Sequence, residues 1–92
     1  MSSLHQLNSA DRLPLCLPFL AAGDRLLLIE EAVILALDPQ RLEAIPSGVQ
    51  LLFLAEDLKA RGLSQYLPAA AQALSDHQWV SSTLEVDRVC SW

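Results

Sequence analysis

The two cysteines of this 92-residue chain, Cys16 and Cys90, are its clearest candidates for nucleophilic chemistry. A cysteine reacts as its thiolate, so a reactive thiol needs surroundings that favour the charged form. The two residues lie near opposite ends of the chain and form neither a CxxC pair nor a spacing typical of zinc ligands. We therefore expect reduced thiols in a cytoplasmic protein, and no metal site.

Cys16 has two interpretations. If a regular helix begins near Cys16, its backbone amides would lower the pKa of the thiol, and Arg12 lies about one helical turn earlier. In the other interpretation Cys16 is buried and packs as a small hydrophobic residue. The apolar residues around it favour burial: Leu13, Leu15, Leu17, Phe19 and Leu20.

The remaining polar candidates have weaker signals. Cys90 lies near Trp92 in the C-terminal tail, and we interpret it as a bystander. His5, in a predicted strand, is either a base, ligand or proton shuttle, or a residue with a structural hydrogen bond. His77 follows Asp76, but no Ser or Cys nucleophile is adjacent, so a solvated helix start is the better interpretation.

An acidic pair offers a further candidate cluster. Glu56 and Asp57, with Arg61, resemble a catalytic carboxylate group, but acids at a helix start and an Asp57–Arg61 ion pair explain them more simply. Trp79 and Trp92 are expected to anchor the core or an interface. The sequence has neither GxGxxG nor GxxxxGK[ST], so we expect no nucleotide chemistry and no cofactor.

Alternating strands and helices are predicted to position these residues. Apolar runs predict strands at residues 4–7, 25–29 and 49–54. Helices are predicted at residues 11–22, 30–37 and 56–61, and a capping box predicts a last helix from residue 75 to about residue 84. This order indicates an α/β domain with a mostly parallel sheet and helices on both faces.

Two segments leave alternatives open. Pro18 would remove a hydrogen bond from the interior of a helix over residues 11–22, so the regular helix could instead begin near Cys16. Residues 68–74, with the sequence PAAAQAL, favour a helix by propensity alone.

Composition restricts the classes of function. The chain is 52% hydrophobic and only 18% charged, a high apolar share for one small domain. We expect part of that apolar surface to face an obligate partner. A net charge of −5 disfavours direct binding of nucleic acid by this chain. Neither a signal peptide nor an apolar stretch of bilayer length is recognisable, so we expect a cytoplasmic location and no membrane contact.

Four stretches, in this order and spacing, resemble the DsrH/TusB family. They are LHQLN at residues 4–8, GDRLLL at residues 23–28, LAEDLKARGL at residues 54–63 and the terminal SW at residues 91–92. The third stretch is the most specific. The resemblance implies one DsrE-like domain over residues 1–92, with a short fourth strand near residues 71–74 that overrides local propensity.

The resemblance also implies partners and a process. Such chains form a heterohexamer with DsrE/TusD-like and DsrF/TusC-like subunits, which passes sulfane sulfur as a cysteine persulfide. A DsrC/TusE-like acceptor receives the sulfur, for 2-thiolation of the tRNA wobble uridine in one branch and for sulfur oxidation in the other. The principal sulfur-carrying cysteine belongs to the DsrE/TusD partner, so a largely structural, non-catalytic subunit is expected here.

Two alternatives remain from the resemblance. Cys16 lies at a position where DsrH-branch members often carry cysteine, so in a sulfur-oxidation complex Cys16 itself would carry persulfide sulfur. Otherwise the chain is a homo-oligomeric protein of the DsrE fold that acts outside sulfur metabolism. The residues do not decide between the branches.

Overall fold

A parallel sheet organises the computed structural model, which describes residues 2–92. Within these residues the five strands are β1 (Ser3–Leu7), β2 (Arg25–Leu28), β3 (Gln50–Leu54), β4 (Gln72–Leu74) and β5 (Arg88–Ser91). Their order in the sheet is β4-β3-β2-β1-β5, and all neighbouring strands are parallel. The predicted α/β class is confirmed, with a sheet that is entirely rather than mostly parallel.

Short helical segments connect the strands. The α-helices of the described chain are α1 (Leu13–Cys16), α2 (Pro39–Leu42), α3 (Ala55–Ala60) and α4 (Asp76–Glu85). The 3₁₀ helices cover Ala10–Arg12, Leu17–Phe19, Glu30–Leu37 and Ser64–Tyr66. No helix within residues 2–92 is long and apolar enough to cross a membrane.

The two faces of the sheet bury separate apolar clusters, because side chains alternate between the faces along each strand. The larger cluster lies under the helical segments that follow β1, β2 and β3, and includes Leu7, Leu26, Leu28 and Phe53. The smaller cluster packs against Trp79 of α4 and includes Leu4, Leu27, Leu52 and Leu74. Helices therefore cover both faces, as predicted.

The segment that carries Cys16 is broken rather than one regular helix. Pro14 lies in the first turn of α1, and Pro18 lies in the first turn of the following 3₁₀ helix. A proline is tolerated there because its missing N–H would have no partner within the helix. The prediction of one continuous helix over residues 11–22 is wrong. The alternative is confirmed in part: a helical turn does begin next to Cys16 and has Pro18 in its first turn, but it is a three-residue 3₁₀ helix, and Cys16 itself ends α1.

Both edges of the sheet are strands that local sequence does not indicate. The helix that local propensity favours over residues 68–74 does not form. The fourth strand implied by the family resemblance is confirmed as β4, which pairs with β3. Residues 88–91, interpreted above as a tail, form β5 against β1. In both cases long-range pairing overrides local propensity.

The start of α4 follows the sequence prediction closely. The Ser75 hydroxyl accepts a hydrogen bond from the Gln78 backbone N–H at 3.1 Å, and the Gln78 side chain accepts one from the Ser75 backbone N–H at 2.8 Å. This is the predicted capping box, which satisfies two backbone donors at the helix start.

Candidate functional site

A groove of about 480 Å³ lies over β1 and the edge strand β5. Residues two apart on a strand share a face. Ser3 and His5 of β1 and Arg88 and Cys90 of β5 therefore line the groove together. Its walls are Phe19, from the helical segment before β2, and Trp92, which follows β5.

His5 is buried at the base of this groove and is bonded at both ring nitrogens. The Trp92 indole Nε1 donates a hydrogen bond to His5 Nδ1 at 3.1 Å. His5 Nε2 lies 3.3 Å from Asp24 Oδ2. Because Nδ1 accepts, the proton of the neutral ring is on Nε2 and is donated to Asp24. Both nitrogens are thus engaged in positioning, and the structural interpretation of His5 is favoured over that of a base.

Asp24 is a buried carboxylate that joins three parts of the chain. Its Oδ1 accepts from the Ser3 backbone N–H at 3.0 Å, and its Oδ2 accepts from the Ala21 backbone N–H at 3.0 Å and from His5. Burial raises the pKa of Asp24, but the hydrogen bonds from Ala21, Ser3 and His5 outweigh it and hold the pKa below its usual value. Asp24 is therefore charged at neutral pH and fixes His5.

Trp92 closes the groove through contacts with this chain. Its ring lies over His5, with centroids 6.1 Å apart and planes 23° apart. It also meets Phe19 at 5.2 Å with a tilt of 38°. The Trp92 backbone N–H donates to the Gln6 carbonyl oxygen at 2.9 Å, which continues the β5–β1 ladder. The C-terminal aromatic residue is thus half-buried and serves as an anchor.

The two cysteines differ in solvent exposure. Cys16 is fully buried in the larger apolar cluster. Burial, with a smaller contribution from Cys90, raises the pKa of the Cys16 thiol to about 11. Cys16 is therefore a neutral thiol near neutral pH, as expected of a small hydrophobic residue in a core. Cys90 is half-buried and faces the groove beside His5, its register partner on β1.

Cys90 was expected in a C-terminal tail, whereas the structure places it in β5, where its side chain faces the groove. The period-two placement of Arg88, Cys90 and Trp92 is the signal that could have indicated a shared face. That signal has meaning only once β5 is recognised as a strand. Residue type alone pointed to Cys16, which the fold places away from the groove surface.

The other sequence candidates lie outside the groove. His77 is exposed at the start of α4. Asp57 accepts a hydrogen bond from the Glu30 backbone N–H at 2.6 Å. Glu30 has a φ of 51°, a strained conformation for a residue with a side chain. The predicted Asp57–Arg61 ion pair does not form within residues 2–92; Asp57 instead holds the turn after β2.

The groove brings a thiol, a basic side chain and an indole ring together on one face of the sheet. Cys90 supplies the thiol, Arg88 is the basic residue that precedes it on the same face of β5, and His5 positions the indole wall. The described residues contain no group of three or more His, Cys, Asp or Glu side chains able to hold a metal ion. The chemistry that fits is transfer of a group to or from a thiol.

Comparison with solved structures defines the class of fold first. The chain is similar to the YchN protein from E. coli, with a TM-score of 0.76 over 99% of this chain and 97% of that chain. The two sequences are 18% identical. They therefore share a fold of the DsrE-like kind, a small domain built on a parallel sheet.

Sequence comparison then identifies the family. The profile described as DsrH like protein matches residues 8–89, so the chain belongs to the DsrH family. The resemblance stated above is confirmed. No curated protein matches the chain significantly in sequence. Family membership supports a sulfur-relay subunit that associates with DsrE- and DsrF-type partners.

Proposed function

We propose that this chain is a largely structural subunit of a cytoplasmic sulfur-relay complex that serves 2-thiolation of the tRNA wobble uridine. In this proposal it assembles with DsrE/TusD-like and DsrF/TusC-like subunits into a heterohexamer, which delivers sulfur to a DsrC/TusE-like acceptor. The observation that carries the proposal is the family match over residues 8–89. The core position of Cys16 agrees with a subunit whose principal role is structural.

Exposed apolar side chains support assembly with other chains. On α4, Val80 is 60% exposed and Leu84 is 82% exposed. The two residues are one helical turn apart, so they form an apolar patch on one side of the helix. Leu15 and Phe19 are similarly exposed on the opposite face of the sheet. Exposed apolar patches of this kind mark interaction surfaces.

Co-expression with two DsrE-family chains from the same genome tests the proposal. We expect the three chains to co-purify and to elute together at a mass above that of any one chain. Leu84→Glu should weaken this association, whereas Gln40→Glu, an exposed substitution on α2, should not. A chain that elutes alone, or only with copies of itself, would contradict the proposal and favour the homo-oligomeric alternative.

A separate experiment tests the proposed role of this chain in tRNA thiolation. Deletion of the gene should lower the content of 2-thiouridine in tRNA, and the wild-type gene should restore it. Unchanged 2-thiouridine with a loss of sulfur oxidation would assign the chain to the other branch.

The alternative in which Cys16 carries persulfide sulfur requires a thiolate at a fully buried position. The raised pKa of Cys16 weighs against it. In a reconstituted complex we expect Cys16→Ser to leave sulfur transfer unchanged. Loss of transfer with the complex intact would instead support Cys16 as the carrier.

A further inference from the structure

We propose that protonation of His5 releases Trp92, so that one wall of the groove over β1 and β5 opens in mildly acidic solution. The juxtaposition that carries the proposal is an indole N–H aimed at one nitrogen of a buried imidazole, whose other nitrogen faces a carboxylate. This device is built into the fold of the chain. It therefore goes beyond the proposed function and stands whether or not the chain assembles with partners.

The hydrogen bond between Trp92 and His5 can form only while His5 Nδ1 carries no proton. The indole Nε1 lies 3.1 Å from Nδ1 and is a donor that cannot accept. A protonated imidazole donates from both nitrogens, so two N–H groups would then point at each other. The edge of an aromatic ring also carries partial positive charge, so the N–H edge of Trp92 repels an imidazolium. Protonation therefore replaces an attraction by a repulsion at this contact.

The carboxylate on the other side of His5 stabilises the protonated ring. Asp24 Oδ2 lies 3.3 Å from His5 Nε2, the nitrogen that holds a proton in both forms of the ring. Burial raises the pKa of Asp24, but the hydrogen bonds that it accepts outweigh burial and hold its pKa below the usual value. Asp24 is therefore charged in the pH range in which histidines titrate. An opposite charge this close favours the imidazolium, even in a buried position.

The other charged and titratable groups of the groove do not respond in the same pH range. Arg88 and Cys90 line the groove from β5, and Trp92 carries the α-carboxylate. The helical segment on the opposite wall, Leu17–Phe19, has no charged residue. Arginine stays charged near neutrality, whereas ordinary thiols titrate above the range of histidine and ordinary carboxylates below it. A transition at Trp92 between about pH 8 and about pH 5 is therefore assigned to the imidazole.

Trp92, and not His5, is the side of this contact that can move. His5 lies in β1 between β2 and β5 and is only 3% exposed. Trp92 follows the edge strand β5 and is otherwise held by its backbone bond to Gln6 and by its ring contact with Phe19. Phe19 is itself 63% exposed, so the two rings meet at the surface. Release of the indole therefore removes a wall of the groove and leaves the sheet intact.

The indole N–H signals of the full chain test the release and supply an internal control. Trp79 donates its indole N–H to the Gln6 side-chain oxygen, an acceptor that does not titrate. Hydrogen exchange followed by NMR from about pH 8 to about pH 5 should show the Trp92 indole exchanging several-fold faster relative to that of Trp79 as the pH falls. Trp92→Phe assigns the two signals. A constant ratio of the two rates, or a common loss of protection at both indoles, would overturn the proposal.

Two substitutions show whether His5 is the group that titrates. His5→Asn keeps a side-chain oxygen that can accept from the indole but cannot titrate, so the ratio of exchange rates should not change with pH. Asp24→Asn removes the charge that stabilises the imidazolium, so release should need a lower pH. Asp76→Asn, at an exposed carboxylate on α4, controls for net charge and should behave as the wild type. A wild-type response in His5→Asn, or an unshifted transition in folded Asp24→Asn, would contradict the proposal.

Fluorescence quenching by acrylamide, a neutral molecule, tests whether the movement of Trp92 opens the groove. Trp79→Phe leaves Trp92 as the only tryptophan, and Trp92→Phe leaves Trp79. Quenching of Trp92 should be several-fold stronger at about pH 5 than at about pH 8, whereas quenching of Trp79 should be equal at both. Equal quenching of Trp92 at the two pH values would show that the wall stays closed and would refute the proposal.

Discussion

The indole N–H of Trp92 donates to Nδ1 of His5 across 3.1 Å, which fastens the C-terminal end of the chain to the first strand. The opposite nitrogen of His5 faces Asp24, whose carboxylate also accepts from the backbone of Ser3 and Ala21. The position of the groove wall therefore depends on a carboxylate that does not touch it. This series of hydrogen bonds leads to the first two predictions.

Replacement of Trp92 by Phe should lower the free energy of unfolding by about 1 kcal/mol. The phenyl ring retains packing on Phe19 but has no N–H, so His5 Nδ1 loses its donor while buried. Urea unfolding followed by circular dichroism measures the change. Tyr66→Phe, at an exposed aromatic residue, is the control and should leave stability nearly unchanged. Equal losses in the two variants would show that the indole bond contributes nothing.

Asp24 should make the stability of the chain sensitive to acid. Its pKa is lower in the folded chain than in the unfolded chain, so its contribution is fully present above the ordinary pKa of an aspartate. That contribution is lost as the pH falls through the lower pKa of the folded state. Asp24→Asn should therefore be less stable than the wild type at neutral pH, by about 1–3 kcal/mol, because the buried network loses its charge.

Urea unfolding of both proteins between neutral pH and about pH 2 measures this difference. The wild type should lose more stability than Asp24→Asn over the acid range, so the two curves should converge. Parallel curves would mean that the Asp24 carboxylate is not the group responsible.

Cys16 should give the opposite response, at alkaline pH. Burial raises its pKa from 9.0 to about 11, so the folded chain binds the thiol proton more tightly than the unfolded chain. The stabilisation is present below the unfolded pKa and is lost as the pH rises toward the folded pKa. The loss reaches about 1 kcal/mol near pH 10. Cys16→Ala removes this group, and the wild type should lose more stability than the variant between about pH 8 and pH 10; equal losses would contradict the assignment.

Features that depend on neighbouring residues were predictable from the sequence. Ser75 and Gln78 satisfy the backbone at the start of α4 with their own side chains, and this local chemistry is visible in four residues. The apolar run of β2 predicts a strand covered on both faces, and Leu27 and Leu28 are indeed fully buried on opposite sides.

Features that depend on distant residues were not predictable in this way. Cys90 lies in β5, whose residues are partly exposed and carry no apolar run, and the strand forms because β1 offers it an edge. The network of His5, Asp24 and Trp92 joins residues 19 and 87 positions apart. The burial of Cys16 was favoured by its apolar neighbours and is confirmed, but the way Pro14 and Pro18 divide its segment into short helices was not predicted.

Asp57 should stabilise the strained turn after β2. Its carboxylate accepts from the backbone N–H of Glu30, whose φ of 51° is unfavourable for a residue other than glycine. Asp57→Asn replaces a charged acceptor by a neutral one and should cost about 1 kcal/mol in urea unfolding. Glu56→Gln, at the exposed neighbouring position, is the matched control and should change stability by less than about half of that. A larger loss for Glu56→Gln would assign the effect to helix charge instead.

Alanine substitutions at two glycines should distinguish the cost of backbone strain from the cost of steric overlap. A Cβ added at Gly48 would lie 2.9 Å from the Ala22 Cβ, and the φ of Gly48 is +88°. Gly62 has a φ of +68°, but a Cβ there would meet nothing within 4 Å. Gly62→Ala should therefore cost about 1 kcal/mol from strain alone, and Gly48→Ala about 3 kcal/mol from strain and overlap together. Thermal and urea unfolding of both variants measure the difference; equal losses would show that the loop before β3 moves away from Ala22 at little cost.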